Sequence, residues 1–171
     1  MKMYASRYLE LAENHAEKMA KRWATDVQSN AKTAKFKYLD EEKIIFHCIR
    51  FYQNFSKMFA DENLSEEVLK YFRSYAKETY NMGIPMDEAI YALILMRRHI
   101  WLYAEFQTIF SSGIDQRQAV DTLSRTILIF DYASYEITKE YQELIRKEAG
   151  KKKGKQISIF PTFPLSMGKG E

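Results

Sequence analysis

The chain has 171 residues, 46% hydrophobic and 29% charged, which suits one domain with a sizeable core and excludes a disordered chain. Its 6 glycines and 3 prolines are few for an all-β fold, and the single cysteine, Cys48, excludes an internal disulfide. The net charge of +3 belongs to the end of the chain, where five lysines and one acid lie from Gly150 onward; the body is nearly neutral, unlike a nucleic-acid-binding domain.

The first predicted helix runs from Tyr4 to Gln28, with Tyr8, Ala12, His15, Met19 and Trp23 on one face at three- and four-residue steps. The stretch from Ser29 to Tyr38 is polar, basic and without a period, and reads as a loop. Asp40 is placed to cap a second helix, with Leu39 and Ile44 spaced as a hydrophobic staple. Ile44, Cys48, Phe51, Phe55, Met58 and Phe59 give that helix an apolar stripe.

Ser65 caps a third helix, stapled by Leu64 and Leu69, with Val68, Phe72, Tyr75, Ala76 and Thr79 on its face. Gly83 ends it, because glycine takes the left-handed conformation without a Cβ clash. Pro85 opens a fourth helix that runs to Phe110. Ser111, Ser112 and Gly113 stop it, and Asp115 caps a fifth that runs to Lys147. The expected fold is all-α, about five helices, with a long C-terminal helix. Residues 1–149 form the domain. Residues 150–171 form a basic and apolar tail, flexible or used for docking.

The fourth helix is apolar on two sides. Ile90, Leu93, Ile94, Trp101 and Ala104 form one face; Ala92, Leu95, Leu102, Tyr103 and Phe106 form a second. The fifth helix is similar, with Leu123, Ile127, Phe130, Ile137 and Tyr141 on one side and Leu128, Tyr132 and Tyr135 on another. Two apolar sides need two covers. The expectation is a homodimer that pairs the last two helices of each subunit through Leu95, Leu102, Phe106, Leu128, Tyr132 and Tyr135. The alternative is that the first helix covers the second face within one subunit.

Catalytic signatures are absent: there is no nucleophile elbow, phosphate-binding glycine loop or paired zinc-binding histidines. His15, His47 and His99 lie on three different helices without metal-ligand spacing. Cys48 shares its stripe with Phe51 and reads as core. Arg97 and Asp131 each fall on an apolar face and are expected to meet as a buried structural ion pair. The functional alternative makes Arg97 an anion or carboxylate site. The longest apolar run, Ile90 to Met96, is far short of the ~20 residues of a membrane span. No signal peptide is read at the start, so the expected compartment is the cytoplasm.

The segment YAKETYNMGIPMDEAIY, from Tyr75 to Tyr91, together with the helix order and Trp23, resembles the N-terminal sensor domains of RsbR-type bacterial stress-response regulators, the RsbT co-antagonist family. The likeness spans Leu9 to Tyr141. The Gly83-Ile84-Pro85 turn also looks like the one that follows the proximal-histidine helix in globin-coupled sensors. The place of that histidine is here Thr79, whose hydroxyl is a poor iron ligand.

The resemblance implies a haem-free, sensor-globin-like signalling module that is not an enzyme and carries no cofactor. It would act through dimerisation and through a signalling partner or a small apolar or carboxylate ligand. By analogy a ligand pocket would be lined by Phe51, Phe55, Phe72, Thr79, Arg97 and Trp101; the plainer reading is that these residues simply pack. The alternative function is a haem- or other cofactor-binding protein that senses or carries gas. In such regulators a long last helix leads to a further domain. Here only a short tail follows, which reads either as a free-standing sensor or as a piece of a longer regulator.

Overall fold

Tyr8, Ala12, Met19 and Trp23 are all buried, as their spacing predicts, but they sit on two helices rather than one. In the computed structural model the backbone is described at residues 2–60, 64–106 and 113–157, and side chains at 8–60, 64–103 and 120–151. Helix α1 (Lys2–Asn14) and helix α2 (Ala16–Ser29) meet at His15. There φ is −115° and ψ is 16°, a kink that keeps the backbone hydrogen bonds from His15 to Leu11 and from Met19 to His15. His15 itself is exposed and lies against Tyr103, with ring centroids 5.3 Å apart.

The predicted loop is a 3-10 helix, Ala31–Tyr38. The Asn30 side chain accepts from Lys32 N at 2.9 Å, and Thr33 Oγ1 donates to the Val27 carbonyl at 2.6 Å. Thr33 and Phe36 are the buried pair of this segment. The segment bends at Thr33, whose φ of −132° and ψ of 43° are not helical, so no single helical period runs through it.

Asp40 accepts from Glu42 N at 3.0 Å and starts α3 (Glu41–Gln53). A second break separates it from α4 (Phe55–Ala60). At Asn54 the side-chain amide donates to the Arg50 carbonyl at 2.7 Å, the same oxygen that its backbone N–H reaches at 3.2 Å. Such local side-chain competition disturbs the helical ladder.

Helix α5 (Glu66–Asn81) ends as expected at Gly83, whose φ is +72°. Gly83 N–H donates to the Tyr80 carbonyl at 2.9 Å and Ile84 N–H to Thr79 at 3.1 Å, the paired bonds of a Schellman stop. Helix α6 (Met86–Phe106) follows Pro85, and α7 spans Gly113–Ile157. The expected helix end at Phe110 and the stop at Ser111 and Ser112 lie outside the described residues. Since α7 already includes residue 113, Asp115 lies inside it and is not its cap. Residue 150 does not end it either, so part of the expected tail is helical. Its 45 residues make a rod of about 67 Å at 1.5 Å per residue. Among the described residues there are thus seven α-helices, one 3-10 helix and no strand. The expectation of about five helices differs because two of them are kinked.

Helix α6 is the hub. Trp23 Nε1 from α2 donates to the Ala92 carbonyl at 2.9 Å. Tyr52 from α3 donates to Met96 O at 3.2 Å, and Tyr75 from α5 to Ala89 O at 3.4 Å. Residues 89, 92 and 96 lie on one stripe of the helix, so three neighbours anchor aromatic side chains along a single line. Helix α7 packs along α5 and α6 and also touches α1 and α4. Its last fully buried side chain is Tyr141, and residues 145–151 are all exposed.

Candidate functional site

Of the residues expected to line a pocket, Phe51 and Phe55 pack together in the core, with ring centroids 6.3 Å apart, but the six are not gathered around one cavity. Phe51, Phe55 and Phe72 are at most 1% exposed. Phe51 and Phe55 pack against Phe130 with ring centroids 5.2 and 6.2 Å apart. Arg97 and Trp101 are half-buried on the other side of α6. Thr79 is buried, and its hydroxyl lies 2.8 Å from the Tyr75 carbonyl, 3.1 Å from the Ala76 carbonyl and 2.8 Å from the Tyr141 hydroxyl. With its hydrogen-bonding capacity used inside the core, Thr79 has little to offer a ligand.

A small cavity does open beside Thr79, lined also by Trp23, Phe36, Ile44, His47, Tyr75 and Ile84. Its volume is about 10 Å³, the space of a single water, far below what a cofactor needs. His47 Nδ1 and Glu78 pair at 2.8 Å on its wall. Cys48 is fully buried, and burial pushes its thiol well above the usual value. It is therefore held as an unreactive thiol. Among the described residues no group of three or more His, Cys, Asp or Glu is placed to hold a metal ion.

An ion-pair ladder that the sequence reading missed joins α5 to α7. Arg73 pairs with Glu66 at 2.7 Å and with Glu136 at 2.9 Å, and Lys77 lies 3.6 Å from Glu140. The two carboxylates on α7 are less than 10% exposed, so their cationic partners are what makes their burial tolerable. The groove between these helices has a volume of about 390 Å³ and continues along Lys139, Glu143 and Lys147. One signal was present in the sequence: opposite charges at matching four-residue steps, 73 and 77 on one helix, 136 and 140 on the other.

The feature that stands apart is the outer face of α6 and α7. Ile94 and Leu102 on α6, and Val120, Ile127, Leu128, Tyr132 and Tyr135 on α7, are 38–62% exposed. Ile127, Leu128 and Tyr135 fall within about 100° of arc on their helix, and Ile94 and Leu102 within about 80° on theirs. Exposed apolar surface of this kind marks a binding surface when it is contiguous.

The two expected faces of α6 are redrawn. Its buried arc runs through Ala89, Ala92, Leu93, Leu95, Met96, Ile100 and Tyr103 and so takes members from both. Leu95 is 2% exposed and belongs to the protein's own core, which corrects its place in the expected dimer interface. The first two helices do cover part of the second face: Trp23 reaches Ala92, and Tyr103 lies against His15. Leu102, Leu128, Tyr132 and Tyr135 stay uncovered. The side chain of Phe106 lies outside the described residues.

Arg97 Nη1 and Asp131 Oδ1 approach to 3.7 Å. The pair meets, but it is not buried: the side chains are 32% and 65% exposed. It bridges α6 and α7, and on α7 Asp131 lies between Ile127 and Tyr135 on the exposed arc. Among the described residues no helix is long and apolar enough to cross a membrane. No family model matches this chain, and no curated protein or solved structure matches it.

Proposed function

We propose that this chain is a non-enzymatic signalling module that works by binding other proteins, a second copy of itself first, through the outer face of α6 and α7. The observation that carries this reading is the set of seven large apolar side chains left 38–62% exposed on two adjacent helices. Helix α7 gives the reading its output. It takes part in the face, runs through the core to Tyr141, and continues beyond the body. Whatever changes the packing of the face is therefore carried to the far end of one rod.

The resemblance of the Tyr75–Tyr91 segment to the haem-free sensor domains of bacterial stress-response regulators supports the same reading. So does Thr79, whose hydroxyl is committed to the core beside a cavity with room for one water. Native mass spectrometry of the full, tag-free chain tests the proposal. A dimer with no added mass is the expected result. A monomer at every concentration up to about 100 μM would defeat it, since standard-size interfaces of signalling proteins hold at that level. A mass adduct lost on denaturation would replace it with a ligand-binding function.

A further inference from the structure

We infer that the end of α7, with the sequence that follows it, binds the surface of an anionic lipid bilayer. No residue of the outer α6/α7 face takes part, so self-association and membrane binding stand or fall separately. Helix α7 changes character along its length. Its last fully buried side chain is Tyr141, and residues 145–151 are all exposed. Between Arg146 and Lys155 it carries six cations, Arg146, Lys147, Lys151, Lys152, Lys153 and Lys155, against one acid, Glu148. That acid accepts from the Tyr80 hydroxyl on α5.

At about 100° per residue the six cationic positions are spread around the whole helix axis. Such a distribution suits an end-on approach to a charged surface rather than the docking of one flat face. From Glu148 the helix continues for about 14 Å to Ile157. That exceeds the screening length of about 8 Å at physiological salt. With α7 pointing at the surface, the lysines lie within reach of its potential while the nearly neutral body stays outside it.

Charge alone would suit any polyanion. What separates a bilayer from the others is the sequence directly after the lysines, where Ile157, Ile159, Phe160, Phe163 and Leu165 occur and no acid stands between Glu148 and Glu171. A nucleic-acid duplex presents phosphates outward and keeps its bases stacked within, so it offers these apolar side chains little. A bilayer presents both phases, anionic headgroups at the surface and hydrocarbon beneath. The apolar stretch is far shorter than the ~20 residues of a span, so it enters the headgroup boundary and does not cross. A basic cluster and an apolar anchor each bind weakly alone and firmly together.

Vesicle sedimentation of the full chain tests this. The probes are vesicles of phosphatidylcholine alone and vesicles of equal parts phosphatidylcholine and phosphatidylglycerol. The expected result is binding to the anionic vesicles only, falling steeply as salt shortens the screening length from about 10 Å at about 0.1 M to about 3 Å at about 1 M. Each basic residue near such a surface strengthens binding about fivefold. The variant combining Lys151→Glu, Lys152→Glu, Lys153→Glu and Lys155→Glu should therefore lose at least about 100-fold in affinity. Phe160→Ser with Phe163→Ser should lose about tenfold or more and leave the salt dependence unchanged.

Equal binding to both kinds of vesicle, binding to neither, or unaltered affinity in the lysine variant would overturn the inference. So would a general polyanion site, seen as displacement from the vesicles by duplex DNA together with a phenylalanine variant that binds them like the wild type. Circular dichroism checks that each variant is folded. Should the charge reversal not fold, Lys→Gln at the same four positions serves in its place. Binding to the anionic vesicles should again be lost, and unchanged binding would overturn the inference.

Discussion

Tyr141 closes the buried part of α7, with its hydroxyl 2.8 Å from Thr79 Oγ1 and 3.1 Å from the Ile84 carbonyl. Its single proton serves one acceptor at a time. Burial pushes its pKa from the ordinary 10.0 up to about 12, with the Thr79 contact working the other way. Burial also raises Tyr8, Tyr52, Tyr71 and Tyr75. Below pH 10 folded and unfolded chains both keep these protons, and the contribution of burial is complete. Above it the unfolded chain releases protons that the folded chain retains, so stability falls until the folded value is passed. For Tyr141 alone, with solvent screening at the end of the core, the loss stays under about 3 kcal/mol. We expect alkaline unfolding in which tyrosinate absorbance rises as the helical signal is lost. A smooth titration of all tyrosines near pH 10 in a still-folded protein would contradict it.

At the same scale, Thr79 shows where sequence reasoning stops. Its position one turn before Gly83 made it the place to ask about a ligand. What decides against one is the Tyr141 hydroxyl, 62 residues away, and no local pattern announces such a contact. Arg97 and Asp131 were legible as a pair because both interrupt apolar faces. Their exposure was not, since the period of a helix tells which residues share a side but not which side another helix will cover.

Among the elements, the starts and stops with local chemistry were readable: the Asp40 cap, the Gly83 stop and the Pro85 start. The kinks at His15 and Asn54 were not, because the apolar stripe runs through both. The 3-10 segment was missed because it bends at Thr33 and buries only Thr33 and Phe36, too few for a period to show. Gly83 allows a quantitative check. A Cβ there would meet only Lys35 Cε, at 3.9 Å, which is ordinary contact. Gly83→Ala therefore carries the left-handed backbone penalty without a clash, about 1–2 kcal/mol. Chemical denaturation should show that loss with an unchanged m-value, while a loss above about 3 kcal/mol would mean that the turn is crowded after all.

For the molecule as a whole, the core and the outer face predict opposite behaviour. Leu95→Ala removes a fully buried side chain and should cost about 2–5 kcal/mol of stability. Leu128→Ser with Tyr135→Ser changes side chains 42% and 62% exposed. It should leave the unfolding free energy of the monomer within about 0.5 kcal/mol per site while abolishing self-association. Thermal unfolding across a dilution series separates the two, because only the stability of an associating protein depends on its concentration. Equal destabilisation of both variants in the monomer would place Leu128 and Tyr135 in the core instead.

Helix α7 also sets a mechanical scale. Between Glu148, whose carboxylate accepts from the Tyr80 hydroxyl on α5, and its end at Ile157 α7 continues for about 14 Å at the helical rise. A tilt of about 10° there swings the end of the helix by about 2 Å. That displacement exceeds anything the close-packed core could accommodate among its own side chains. The body can thus stay intact while the end of α7 moves far enough to make or break a contact with whatever lies beside it.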